Sequence, residues 1–192
     1  MANVIDDICN RALGKLGAKR IRSLTEDSAS ARACNTAYVP VRDAFLEEHE
    51  WSFAIKRAEL SAESPAPTWG PAYAYLLPAD FIRLAEDDQA RVDCGERDWI
   101  IENGRIKTDD SAPLQIRYIS RVSDVSMMTP LFREGLATKL AFELCEQLTQ
   151  SNTKKDELRE DLKDVISRGK KSNAFQKPSK RPPEDTWVTA RL

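Results

Sequence analysis

The sequence predicts an α+β fold, mainly α: a helical bundle of two αα-hairpins, with a small antiparallel β-sheet inserted between them and an extended C-terminal tail. Three observations carry this. Apolar residues recur at helical spacing near both ends, a strand period with an Asn-Gly turn occupies the middle, and residues 172–192 hold three prolines and no period. The implied organisation is a bundle from residues 1–60 and 125–171, a connector and β subdomain over 61–124, and a docking arm over 172–192.

In chain order, Val4, Ile5, Ile8, Cys9, Ala12, Leu13 and Leu16 form one helix face, with Asn3 as N-cap and Gly17 as stop. A second helix starts near Ser28, whose hydroxyl suits the first free amides, and its stripe runs Cys34, Ala37, Tyr38, Val41, Phe45. Pro40 removes one backbone donor, so a kink near Val39 is expected before helix resumes to about His49. The link between these helices predicts antiparallel neighbours.

A hinge follows over residues 51–84. Trp51 and Phe53 are large anchors after an acidic helix end, and Pro65, Pro67 and Pro71 impose an extended connector. Tyr73, Tyr75, Pro78 and Asp80 lie in a partly alternating segment that ends as a short strand. Together Trp51, Phe53, Tyr73 and Tyr75 are expected to form one core that fixes the sheet against the helices.

Residues 99–108 read as a hairpin. Asn103-Gly104 can take the positive φ angles of a type I′ turn, which sets Glu102 opposite Arg105 and Ile101 opposite Ile106. Leu114, Ile116 and Tyr118 mark a further strand, and Arg91 to Cys94 a possible fourth. Phe132, Leu136, Leu140, Leu144 and Leu148 then define a strong helical stripe, and Leu158, Leu162, Val165 and Ile166 a last helix over 154–171, the second hairpin.

Composition narrows the function classes. A net charge of -2 makes any nucleic-acid contact local, and no apolar run approaches the roughly 20 residues that span a bilayer, so no membrane role is expected. The first residues lack the basic and apolar regions of a signal peptide, which predicts folding in the cytoplasm. Cys9, Cys34, Cys94 and Cys145 are widely spaced and read as core filler, not metal or redox motifs. No cofactor is implied.

Candidate chemistry is sparse. His49 is the single histidine, and Gly14 and Gly17 fit no phosphate-binding loop. Glu47, Glu48, Glu50, Asp80, Asp87 and Asp88 leave open a carboxylate glycosidase, which needs two carboxyl groups and no histidine. Six basic residues, Arg168, Lys170, Lys171, Lys177, Lys180 and Arg181, with no acidic residue over 168–183, leave open a nucleic-acid-binding module. The reading favoured for the tail is docking. Trp187, Arg191 and Leu192 follow the basic stretch, and Trp and Arg are the side chains most often found as interface hot spots.

Asn10-Arg11-Ala12-Leu13-Gly14-Lys15-Leu16-Gly17 with Ile21 and Ser23-Leu24, then Trp51-Ser52-Phe53-Ala54, Tyr73, Tyr75, Leu77-Pro78-Ala79-Asp80, and the ending Trp187, Ala190, Arg191 form an ordered set. This set resembles the head-to-tail adaptors of short-tailed bacteriophages, the tail tubular protein A family. Ser52 stands where the family pattern leads one to expect Asn, Pro40 interrupts an expected continuous helix, and residues 86–122 carry no matching motif. The resemblance implies a structural virion protein, without enzymatic activity, that assembles as a ring, usually dodecameric, beneath the portal protein. It would extend the channel for packaged DNA, without sequence-specific binding, and carry the tail nozzle and tail fibre proteins. It also implies that the arm docks into the portal, through Lys177, Lys180, Arg181, Trp187, Arg191 and Leu192. Before assembly the chain is expected to be monomeric.

Overall fold

A computed structural model describes residues 3–85 and 98–176 of the chain. A π-helical turn, Ile5–Cys9, runs into α1, Asn10–Leu16, and Gly17 ends it at φ 70°, a left-handed position suited to glycine. Helix α2, Ala29–Glu47, is capped by the Ser28 side chain, which accepts from the Ala31 N–H, and the helix continues through Pro40. Helix α3, Pro130–Thr149, has Thr129 as cap and proline in its first turn. After Gln150, in left-handed conformation, Ser151 caps α4, Asn152–Ala174. The last helix therefore extends past the expected end at 171.

The expected bundle of two αα-hairpins with one small inserted sheet is not what forms. Four α-helices among the described residues accompany two three-stranded antiparallel sheets, with about 50% helix and 19% strand. Helices α1 and α2 each take α3 as their principal neighbour, not each other, and α4 packs along α3. The physical reason is the 11-residue link 18–28. It is long enough to carry α2 away from α1, and it has its own anchor. The buried Asn10 side chain accepts from the Ile21 N–H at 2.9 Å and donates to the Ile21 carbonyl at 3.0 Å, pinning the link to α1. Replacing Asn10 with Ala strands two polar groups of a buried backbone and should cost about 2 kcal/mol in urea unfolding. An unchanged midpoint would show that water takes over both bonds.

The strands also depart from the expected single sheet. Strands β1, Ile55–Leu60, and β3, Phe81–Leu84, flank β6, Leu114–Ser120, in one sheet. Strands β2, Tyr73–Leu76, β5, Arg105–Thr108, and β4, Trp99–Glu102, make the other, in that order. The 55–60 segment, expected in the helical part, is thus an edge strand paired with β6 from Ile55–Ile119 to Leu60–Leu114. The segment 73–84 is two strands in different sheets. The hairpin keeps its expected register, Glu102 opposite Arg105 and Ile101 opposite Ile106, across Asn103 at φ 48° and Gly104 at φ 70°. Its charges pair otherwise: Lys107 bonds Glu102 at 2.7 Å and Arg105 bonds Glu63 at 2.5 Å. The possible strand at Arg91 to Cys94 lies outside the described residues.

Two cores result. One gathers α1 to α4 and includes Phe45, Leu46, Trp51, Phe132, Leu136 and Leu140, with the buried Cys9, Cys34 and Cys145 as apolar filler. The other lies between the sheets. Leu60, Leu84, Leu114, Ile116 and Tyr118 come from one and Tyr75, Trp99 and Ile106 from the other. Strand β6 serves both, because its alternation puts Ile116 and Tyr118 in the sheet core while Ile119 enters the helical one.

Candidate functional site

Trp51 and Phe53 were expected to share a core with Tyr73 and Tyr75. They do not. Trp51 is buried among helices: its ring centroid lies 5.5 Å from Phe45 and 5.1 Å from Phe132, and its indole N–H donates to the Phe45 carbonyl at 3.2 Å. Phe53 meets Phe132 edge-on at 4.9 Å. Tyr75 is buried in the sheet core, with half-buried Tyr73 beside it at 6.4 Å, and the Tyr75 hydroxyl donates to the Asp110 carbonyl. The helix period and the strand period each bury their own aromatics, so the stretch 51–84 joins two cores instead of forming one.

The joint has two fasteners. At Pro78 and Asp80 the chain crosses from β2 to β3, and Phe81 N–H bonds the Pro78 carbonyl at 3.0 Å. Asp80 accepts from Lys56 of β1 at 2.6 Å and from the Tyr118 hydroxyl of β6 at 3.0 Å, while its carbonyl accepts from the Arg121 N–H. Burial disfavours the Asp80 charge, but the Lys56 and Tyr118 bonds outweigh it and hold the carboxyl below its ordinary value. Burial and the Asp80 carboxylate push the Tyr118 hydroxyl up to about 12. The corner is thus a charged clasp that stays ionised at neutral pH. Arg121 also reaches Asp43 of α2 at 2.9 Å, and Arg83 of β3 donates to the Glu47 carbonyl at 2.7 Å, tying the sheet to the helix.

The second fastener was not read from the sequence. Asn173, in the last turn of α4, is buried; its Oδ1 accepts from the Ser52 N–H at 2.8 Å and the Ser52 hydroxyl at 2.7 Å, and its Nδ2 donates to the Glu50 carbonyl at 2.6 Å. One turn earlier, Gly169 lets α4 lie against the Trp51 ring, where an added Cβ would be 3.3 Å from the indole. Residues 172–174, expected in the arm, are therefore helix, and they close on the hinge. No local pattern announces this, because the partners are about 120 positions apart.

The six expected docking residues, Lys177, Lys180, Arg181, Trp187, Arg191 and Leu192, lie outside the described residues, as do Asp87 and Asp88. Helix α4 ends beside the hinge, and Phe175 follows with 90% of its surface exposed. Of the carboxylates considered for hydrolysis, Asp80 is engaged as above. Glu50 is buried and faces Arg117 at 3.5 Å, and Glu48 pairs with Lys139. Among the described residues no group of three or more His, Cys, Asp or Glu side chains could hold a metal ion. No helix among them is long and apolar enough to cross a membrane.

An open groove of about 480 Å³ is formed by the connector 63–71 over the outer face of β2, β5 and β4. Trp69 stands 87% exposed at its rim with Pro65, Pro67 and Pro71, above Ala74 and Ile100, and the Glu63–Arg105 and Glu102–Lys107 pairs neutralise its charge. Trp69 was not read from the sequence; the signal that could have found it is a tryptophan in a proline-rich connector with no apolar period around it. A comparison with protein-family models gives no match, and a comparison with curated proteins gives none either.

Proposed function

We propose that this chain is a structural assembly protein, whose work is to hold surfaces at fixed angles and to dock. The particular reading is a head-to-tail adaptor of a short-tailed phage: a ring, of twelve copies by the resemblance, under the portal protein. It would extend the channel for packaged DNA and carry the tail nozzle and fibres. On this reading it is made in the host cytoplasm, resides in the virion, and catalyses no reaction.

The observation that carries the reading is where the residues of the resemblance lie. Asn10 and Ile21 form the clasp between α1 and its link, and Trp51 is the ring against which Gly169 of α4 lies. Pro78 and Asp80 make the corner between the sheets. Residues of this set thus fasten elements to one another, as a protein that acts by geometry requires.

The test is deletion of residues 177–192. The shortened chain should keep its helix content and melting temperature, because side chains within residues 4–166 pack on one another in both described cores, yet lose co-sedimentation with portal particles. Repeated arms around a ring would gain strength through effective concentration, so loss should be nearly complete. Undiminished co-sedimentation would overturn the docking assignment.

A further inference from the structure

Between Ile8 and Thr25 the chain carries five basic residues, Arg11, Lys15, Lys19, Arg20 and Arg22, and no acidic one, although its net charge is -2. Two of the five pair within the fold: Arg11 and Lys15 reach Glu134 of α3 at 3.0 and 3.2 Å. The other three, Lys19, Arg20 and Arg22, are exposed and have no ion pair among the described residues. They stand within four positions on the link 18–28, and that backbone is fastened. Ala18 N–H bonds the Leu13 carbonyl at 2.9 Å, and the Ile21 N–H and carbonyl are both held by the Asn10 side chain. Ile21 is 3% exposed and enters the helical core, so Arg20 and Arg22 on either side of it are directed outward from a fixed point.

We propose that Lys19, Arg20 and Arg22 form a contact for the phosphate backbone of duplex DNA, made without reading its sequence. Four residues reach about 10 Å at most, and over that length a duplex presents about six charges, so each cation finds a phosphate in any register. The anchored backbone lowers the ordering cost of binding. Single strands are disfavoured, because they are held by bases stacked on aromatic rings and the chain has no aromatic residue before Tyr38. A protein interface or a membrane would need apolar side chains to bury. Ala18 and Leu24 of the link instead pack on the helical core, and no large hydrophobic residue of the link is exposed.

The link's two acids have partners of their own. Glu26 accepts from the Arg22 backbone N–H at 3.1 Å, which leaves the guanidinium outside the bond, and Asp27 pairs with Arg32 of α2. Neither carboxylate takes the charged end of Lys19, Arg20 or Arg22. A contact made by charge alone follows the duplex and not its base order, so DNA can slide along it. For a chain around a DNA channel that is the useful kind of contact. The inference stands whether or not residues 177–192 dock on a portal, because it uses none of them.

The experiment titrates the isotope-labelled full chain with a mixed-sequence duplex of about 20 base pairs, followed by amide NMR and repeated between about 50 and 200 mM salt. Amides of residues 18–25 should shift, and a second duplex of unrelated sequence should shift them equally. Replacing Lys19, Arg20 and Arg22 together with Gln leaves Ile21 and its anchorage in place, so amides elsewhere should keep their positions. This variant should lower the slope of log affinity against log salt by about 2.7, at about 0.9 for each phosphate no longer neutralised. Binding through the basic tail, which the variant retains, appears as the residual slope. An unchanged slope, a duplex that shifts only amides outside the link, or no binding at the lowest salt overturns the contact. Poly-glutamate shifting the same amides at equal affinity overturns the assignment to DNA.

Discussion

Trp51→Ala is expected to lower stability by about 3–5 kcal/mol, the range for removing a fully buried large aromatic side chain. The indole is 2% exposed and touches the rings of Phe45, Phe132 and His49, and it supplies the flat surface on which Gly169 of α4 lies. Its loss leaves a cavity that three helical elements border, and the Phe45 carbonyl loses the donor it has at 3.2 Å. For a chain of this length the melting temperature should fall by roughly 10 °C. Trp51→Phe retains a ring and loses chiefly the indole edge and its hydrogen bond, so its effect should be distinctly smaller. Thermal unfolding of both variants, followed by circular dichroism, checks the pair. Equal small shifts would mean that the helices close over the vacancy.

Gly135→Val is expected to destabilise by overpacking, toward the upper end of about 1–3 kcal/mol. A Cβ at Gly135 would lie 2.9 Å from Cζ and 3.2 Å from Cε1 of Phe45, and 3.6 Å from Val165 of α4. Phe45 cannot yield, because its ring is stacked on Phe132 at 4.8 Å, tilted against Trp51, and 1% exposed. The branched methyls would wedge α3 away from α2 and α4 together. Gly135→Ala separates the terms: it has the same first carbon but gains up to about 1 kcal/mol in helix propensity, so it should be the milder of the two. Denaturant unfolding with an unchanged slope is the measurement. A Val variant as stable as the parent would show that Phe45 has another rotamer open to it.

The order of elements was partly legible. Helix starts at Ser28 and the stripe from Phe132 to Leu148 depend on cap chemistry and on a 3.6-residue period, both local. The turn at Asn103-Gly104 gave the β4–β5 register because a two-residue loop leaves one pairing geometry. Which strands share a sheet was not legible. Strand β1 pairs with β6 about 60 positions away, and the segment 73–84 divides between two sheets at Pro78 and Asp80. Alternation gives a strand's faces but not its neighbour. The same limit hid Asn173, which reads as one polar residue near a helix end and becomes a fastener only when α4 lies on the hinge. Gly135 and Gly169 carried no signal either, since their importance is the ring each leaves room for.

The tail is the converse case. Its basic and aromatic composition was read directly, and the docking role assigned to Lys177, Lys180, Arg181, Trp187, Arg191 and Leu192 stands on sequence and on the proposal above. The sequence by itself determined the helix stripes, the cap at Ser28, the hairpin turn and the aromatic anchors at Trp51 and Tyr75, because each follows from chain-local geometry, whereas the expected cap at Asn3 does not form and Val4 stands at that position without a side-chain bond. Only the tertiary structure decided that these anchors serve two cores, that α1 and α2 pack on α3, and that the hinge is closed by the end of α4. Those outcomes depend on which apolar surfaces meet after collapse, and burial is non-directional: it rewards apolar area removed from water without specifying the partner.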